Sequence, residues 1–226
     1  MKPRLLMVGG WAHPAEALQP LAEMVAEFAT PRLLAADEPI PPPDQPTVLL
    51  GWSLGGLGAV RAVLADSDRW LGLIGVSTTP RFCSAPDWPQ GVAAARIRAM
   101  KAGLRQQPED VLRKFFTEVA APAHLASVAL EEKVRTALTL DIDMLVAGLD
   151  ALLNTDLRAQ LARSTKPALI LHGRADRIIP CAAGEWLADQ FIFHRCVVLD
   201  HVGHDLPLRA LDQVAEEINL YLQTLS

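Results

Sequence analysis

Residues 47–64 constrain this chain more than any other stretch. Thr47-Val48-Leu49-Leu50 is an apolar run with a β-branched start, Gly51-Trp52-Ser53-Leu54-Gly55-Gly56 is a glycine-bounded turn, and Leu57, Val60, Ala62, Val63 and Leu64 continue at helical spacing. A strand that enters a helix through Gly-x-Ser-x-Gly must turn so sharply that the serine takes a sparsely allowed backbone conformation. The flanking positions then lie so close to neighbouring strand and helix that only small residues fit. The turn lifts Ser53 Oγ above the C-terminal edge of the strand and aims the Leu54 N–H, at a helix N-terminus, toward the same space. A nucleophile and an oxyanion donor thus come from one local structure. The plain alternative is an inert serine in a strand-to-helix turn; the strand before it and the helix after it favour the elbow.

The 226 residues suffice for one α/β domain with a large core or for a domain with a small inserted cap, and half of them are apolar. A net charge of −5 argues against a nucleic-acid partner, which would call for a basic excess. Cys83, Cys181 and Cys196 are odd in number and widely spaced, so they read as incidental or buried thiols, with no disulfide framework or metal-ligand pair. The apolar run after Lys2 and Arg4 stops at Gly9-Gly10, too short for a signal core, and no stretch approaches the ~20 apolar residues of a membrane span. The expectation is a soluble, cytoplasmic, monomeric protein without metal or organic cofactor and without a membrane partner.

In chain order, a strand is expected at about Arg4 to Val8, then a helix from Pro14 to Phe28 carrying Leu18, Leu21, Ala22, Val25 and Phe28. His13, just before it, reads as a surface residue of the first turn. A short strand near Arg32 to Ala35 gives way to Asp37–Pro46, whose prolines forbid a helix. A parallel connection normally uses a helix, so here an extended strap must run back along the sheet instead. Trp70–Ser77 reads as a buried strand. From Pro86 to about Arg163 the pattern is helical, over Val92–Leu104, Pro108–Val119, Leu130–Leu140 and Met144–Leu153, as a lid placed above the strand ends would be. An extra helical layer with no gating role has the same pattern.

The sheet pattern resumes at Ala168–His172, followed by Gly173-Arg174-Ala175-Asp176, and again at His194–Leu199, followed by Asp200-His201-Val202-Gly203-His204-Asp205. An aspartate in a loop just past a buried strand is placed to orient a histidine from behind, which makes Asp176 the third member of a triad. His172 reads as structural. Of the two loop histidines, His204 is preferred as the base because it follows Gly203 and precedes the final helix, expected over Leu208–Leu222. The order Ser53, Asp176, His204 resembles that of the α/β-hydrolases and differs from the chymotrypsin and subtilisin orders. The resemblance implies an α/β-hydrolase fold: a mostly parallel sheet of about six strands with flanking helices, its core formed by 1–79 and 164–226 and a helical lid by 80–163. It also makes the Trp11 N–H, after the first strand, the second oxyanion donor.

Gly51–Leu57, Phe82–Pro89 and Gly148–Arg158 are similar to the pimeloyl-[acyl-carrier protein] methyl ester esterase family of biotin synthesis, and the likeness runs from about Val48 to the C-terminus. It implies a serine carboxylesterase that removes the methyl group masking a carrier-bound pimeloyl chain, with Ser53, Asp176 and His204 as triad. Trp11, Leu54 and Phe115 then line the substrate and oxyanion site. Val119 stands where the family has glutamine, Gly9-Gly10 stands where a His-Gly pair is usual, and the family's N-terminal hairpin is lacking. Residues 80–114 carry +4 in a chain of −5, leaving −9 elsewhere. Beside the resemblance, Arg96, Arg98, Lys101, Arg105, Arg113 and Lys114 thereby become candidates for docking an acidic carrier protein, whereas without it the run is a solvated helix face. A general short-chain carboxylesterase or thioesterase, a lyase of the menaquinone-pathway type and a catalytically silent binding protein on the same fold stay open.

Overall fold

The computed structural model describes residues 2–161 and 164–225. Six strands form one wholly parallel sheet in the order β2-β1-β3-β4-β5-β6. They are β1 (Arg4–Val8), β2 (Thr30–Leu34), β3 (Thr47–Trp52), β4 (Trp70–Val76), β5 (Ala168–Gly173) and β6 (His194–Leu199). Every residue of β3 and β5 is buried, which is why these strands read as continuous apolar runs rather than alternating ones.

Helices cover both faces. On one, α1 (Gln19–Val25), α8 (Leu206–Arg209) and α9 (Leu211–Gln223) bury Leu21, Val25, Leu206, Val214 and Ile218 against Leu5, Met7, Leu50 and Ile74. On the other, α2 (Leu54–Ala65) and α7 (Cys181–Ala188) pack beside the four helices of the insert, α3 (Ala94–Gln106), α4 (Pro108–Ala120), α5 (Ser127–Ala137) and α6 (Ile142–Asn154). Among the described residues, the insert's buried side chains join the main core. Phe115, Phe116, Leu145 and Leu149 belong to the same buried cluster as Leu49, Leu73 and Ile170. Its expected end at Arg163 lies outside the described residues.

Two expected helices are broken, each near a proline. The Pro14–Phe28 segment is a 3₁₀ turn at Ala15–Leu18 followed by α1, because Pro20 lacks an N–H and fits only the first turn of a new helix. Pro207 sits likewise in the first turn of α8, and a non-helical Ala210 (φ −104°, ψ 44°) separates that turn from α9. The strap between β2 and β3 contains no helix or strand. Because those strands flank β1, it must cross β1. It is tied by Arg4 to Asp44 (2.7 Å), by the Glu38 carboxylate to the Ala35 N–H, and by Ile40 resting over α2 at Gly58.

Candidate active site

The elbow takes the conformation its glycines permit. Ser53 has φ 57° and ψ −119°, a strained state for a residue with a side chain. A Cβ at Gly51 would lie 2.5 Å from the Gly55 carbonyl oxygen, and one at Gly55 would lie 2.2 Å from the Gly9 oxygen. Neither can be anything larger. The Ser53 N–H donates to the Val76 carbonyl, and Thr78 Oγ1 donates to the Ser53 carbonyl at 2.8 Å, so the turn is held from β4 and the loop after it.

Two loops deliver the partners. The loop after β5 carries Asp176 and the loop after β6 carries His204; they meet at Gly173, where a Cβ would lie 2.4 Å from both the Val202 and Gly203 oxygens. His204 Nε2 is 2.8 Å from Ser53 Oγ, and His204 Nδ1 is 2.8 Å from Asp176 Oδ2. The other carboxylate oxygen accepts the backbone N–H groups of Ile178 (2.8 Å) and Ile179 (2.9 Å). Burial alone would raise the Asp176 carboxyl, but the charge and hydrogen bonds of His204 and His172 outweigh it and hold the group well below the usual carboxylate range. The structure thus brings together the three residues singled out from the sequence. His201, in the same loop, is exposed and carries φ 62°.

Leu54 opens α2, where the first backbone N–H groups have no intrahelical acceptor. Leu54 and Trp11 line one cavity of about 200 Å³ with Leu57, Leu145 and Gly148, while the loop after β1 passes so near the serine that a Cβ at Gly10 would lie 3.4 Å from Ser53 Cβ. Phe115 lines a different cavity, about 300 Å³, with Met100 and Lys114 between α3 and α4. The three residues expected to form one binding site are therefore divided. The rings of Trp11 and Phe115 meet edge to face, centroids 4.7 Å apart, and Trp11 Nε1 donates to the Leu145 carbonyl at 2.8 Å. One core side chain is clasped by two helices of the insert. Val119 is buried.

Two histidines differ from expectation. His13 is not a surface residue: the Trp11-Ala12 turn (Ala12 φ 59°) folds it inward, its Nδ1 lies 2.9 Å from the Trp11 carbonyl, and its ring sits 4.5 Å from Trp52 and 5.2 Å from Phe116. Burial, helped by repulsion from Lys133, pushes its pKa down to about 3. His172, expected to be structural, has a partner in the site: Nε2 lies 3.3 Å from Asp176 Oδ2. A histidine four residues before an aspartate was the available signal, but only the turn after β5 folds one back on the other.

The basic run on the insert is largely spent internally. Arg96 pairs with Glu118, Lys101 with Asp150 (2.5 Å), Arg105 with Asp143 (3.3 Å), and Arg113 with both Glu109 and Glu131. Arg98 and Lys114 are exposed. The +4 of residues 80–114 faces −3 over residues 115–163, so the whole insert is nearly neutral. Among the thiols, Cys83 is buried and Cys196 exposed, and all three are free.

Residues 8–217 match the model of the alpha/beta hydrolase family. A pimeloyl-[acyl-carrier protein] methyl ester esterase from Nitrosomonas europaea is 33% identical over 162 residues, 68% of this chain, and that match spans only 62% of the relative's length. The esterase of the same name from Xylella fastidiosa is 30% identical over 80% of this chain and 79% of its own. An esterase from Exiguobacterium antarcticum superposes with a TM-score of 0.85 over 98% of this chain and 92% of its own, at 19% identity. The chain belongs to the alpha/beta hydrolase family, alongside the pimeloyl-[acyl-carrier protein] methyl ester esterases it resembles.

Proposed function

We propose that this chain is a serine carboxylesterase whose substrate is the methyl ester of a pimeloyl chain carried on an acyl-carrier protein, as the names of its relatives describe for them. The observation that carries the reading is the continuous hydrogen-bonded line from Ser53 through His204 to a buried, ionised Asp176. Ser53 Oγ attacks the ester carbonyl while His204 Nε2 takes its proton. Asp176 holds the Nδ1–H tautomer and stabilises the imidazolium that forms, and the Leu54 and Trp11 N–H groups receive the oxyanion. The proton on His204 passes to the departing methoxide, and methanol leaves. Water, deprotonated by His204, then releases the acid from Ser53. The residues used need no metal and no organic cofactor.

The cavity beside Trp11, Leu54 and Gly148, walled by Leu57, Leu140, Met144 and Leu145 but also by Asp37 and Arg61, suits the chain of the acyl group. Exposed Arg98 and Lys114 are the members of the basic run left to meet an acidic carrier. The internal pairing of Arg96, Lys101, Arg105 and Arg113 favours a second reading, a carboxylesterase of small free esters in which the insert docks nothing.

A fluorophosphonate probe should label wild type and leave Ser53→Ala unlabelled. Rescue of a biotin-requiring strain that lacks its own esterase supports the carrier-linked substrate; hydrolysis of small methyl esters without rescue supports the second reading. Reversing Arg98 and Lys114 to glutamate should lower kcat/KM on the carrier-linked ester and spare a small ester, with rising salt reproducing the loss in wild type.

A further inference from the structure

The mechanism uses one histidine on Asp176, but the carboxylate touches two. His172 is the penultimate residue of β5, is wholly buried, and approaches Asp176 Oδ2 at 3.3 Å and the Ile179 carbonyl oxygen at 3.0 Å, both through Nε2. Both neighbours of that nitrogen are acceptors, so Nε2 must carry a proton. The other ring nitrogen has no hydrogen-bond partner. It faces Gly184 of α7, where a Cβ would lie only 2.3 Å away, so α7 is notched to admit the ring.

We propose that His172 is a positioning residue for the triad, its Nε2–H shared between the Ile179 carbonyl and the same Asp176 oxygen that orients His204. Asp176 is then held on all sides: two backbone N–H groups on Oδ1, two imidazoles on Oδ2. The His172 donor does two things. It fixes the carboxylate's rotation, so that Oδ2 points at His204 Nδ1 when Ser53 is attacked. It also shares the charge of that oxygen between two imidazoles, so a variant without the donor leaves all of it to His204. The inference rests on the catalytic reading of Ser53, His204 and Asp176.

The test is the pH profile of ester hydrolysis. Other titratable groups act on this pair: His13 from the loop after β1, Asp205 beside His204, and Cys181 at the start of α7. They are unchanged in every variant used. His172→Leu removes the donor, and Gly184→Ala displaces the ring without altering residue 172. Each should lower kcat by about ten- to a hundredfold and move the acid limb of kcat/KM to higher pH by about half a unit or more. His172→Gln, whose amide nitrogen can replace Nε2–H, should restore the limb and most of the rate. In wild type, ¹⁵N spectra should find a proton on His172 Nε2, a readout that needs no variant to fold. A bare Nε2, or variants that lose rate with the acid limb unmoved, or variants indistinguishable from wild type would overturn the proposal. Hydrolysis that survives Ser53→Ala or His204→Ala would instead overturn the triad reading on which it stands.

Discussion

The indole of Trp52 donates to the backbone carbonyl of His204 at 3.0 Å, so the residue before the nucleophile anchors the residue that activates it. The bond is buried, joins residues 152 apart in the chain, and couples β3 directly to the loop after β6. Trp52→Phe keeps an aromatic ring but is smaller than the buried indole and strands a buried acceptor. It should cost about 1–3 kcal/mol of stability and lower kcat about tenfold through a loosened His204, measured by urea titration and ester hydrolysis, with fluorophosphonate labelling of Ser53 retained.

Triad variants should separate by role. Ser53→Ala should abolish turnover and acyl-enzyme formation, and Asp176→Asn should lower kcat by about 10⁴ through the wrong His204 tautomer. His201→Ala, at an exposed position, should leave most activity. Steady-state rates on a chromogenic ester decide this, and a dead His201→Ala beside an active His204→Ala would reverse the choice of base.

Buried His13 makes stability depend on pH. Its folded pKa of about 3 lies below the ordinary 6.5, so the unfolded chain binds the proton more readily. Stability is therefore full above pH 6.5 and falls as pH drops toward 3, by up to about 1.4 kcal/mol per unit. His13→Leu should flatten this: between pH 6.5 and 4.5 the wild type should lose about 2–3 kcal/mol more than the variant. Urea midpoints at the two pH values provide the check.

Gly148 lets α6 rest on Trp11 and Leu54, for a Cβ there would lie 2.7 Å from Trp11 Cδ1 and 3.0 Å from Leu54 Cδ2. Gly148→Leu should force α6 and Trp11 apart, break the Trp11–Leu145 hydrogen bond and cost about 1–3 kcal/mol. It should also raise KM for long-chain esters more than for methyl acetate if the narrowed cavity takes the chain, as proposed. Equal effects on both substrates would remove the cavity from the acyl path.

The strap should behave as an entropic tether. Replacing residues 38–46 by glycine and serine at equal length should cost a few kcal/mol at most, about 0.4–1 per proline lost, whereas deleting three residues should shorten the path across β1 and destabilise the sheet. Thermal melting of the two variants distinguishes them.

The sequence by itself determined what local sterics and periodicity determine. The Gly51 and Gly55 spacing around Ser53 specified the elbow because no larger residue fits those approaches, and the apolar runs of β3, β4 and β5 specified buried parallel strands. Asp37–Pro46 specified an extended strap because proline forbids the alternative. The chain order of Ser53, Asp176 and His204 further pointed to residues that the folded loops do bring into contact.

Only the tertiary structure decided what depends on distant segments meeting. His13 is buried because Phe115 and Phe116 of α4 pack against it, and nothing within its own turn records their approach. His172 acquires a partner only when the loop after β5 folds Asp176 back. The basic run loses its apparent charge because Glu118, Asp143 and Asp150 come from helices further along the insert. Trp11 and Phe115 touch yet line separate cavities, a division set by how α4 and α6 pack. Local conformation is fixed by short-range sterics, whereas burial, pairing and cavity shape are sums over residues far apart in the chain.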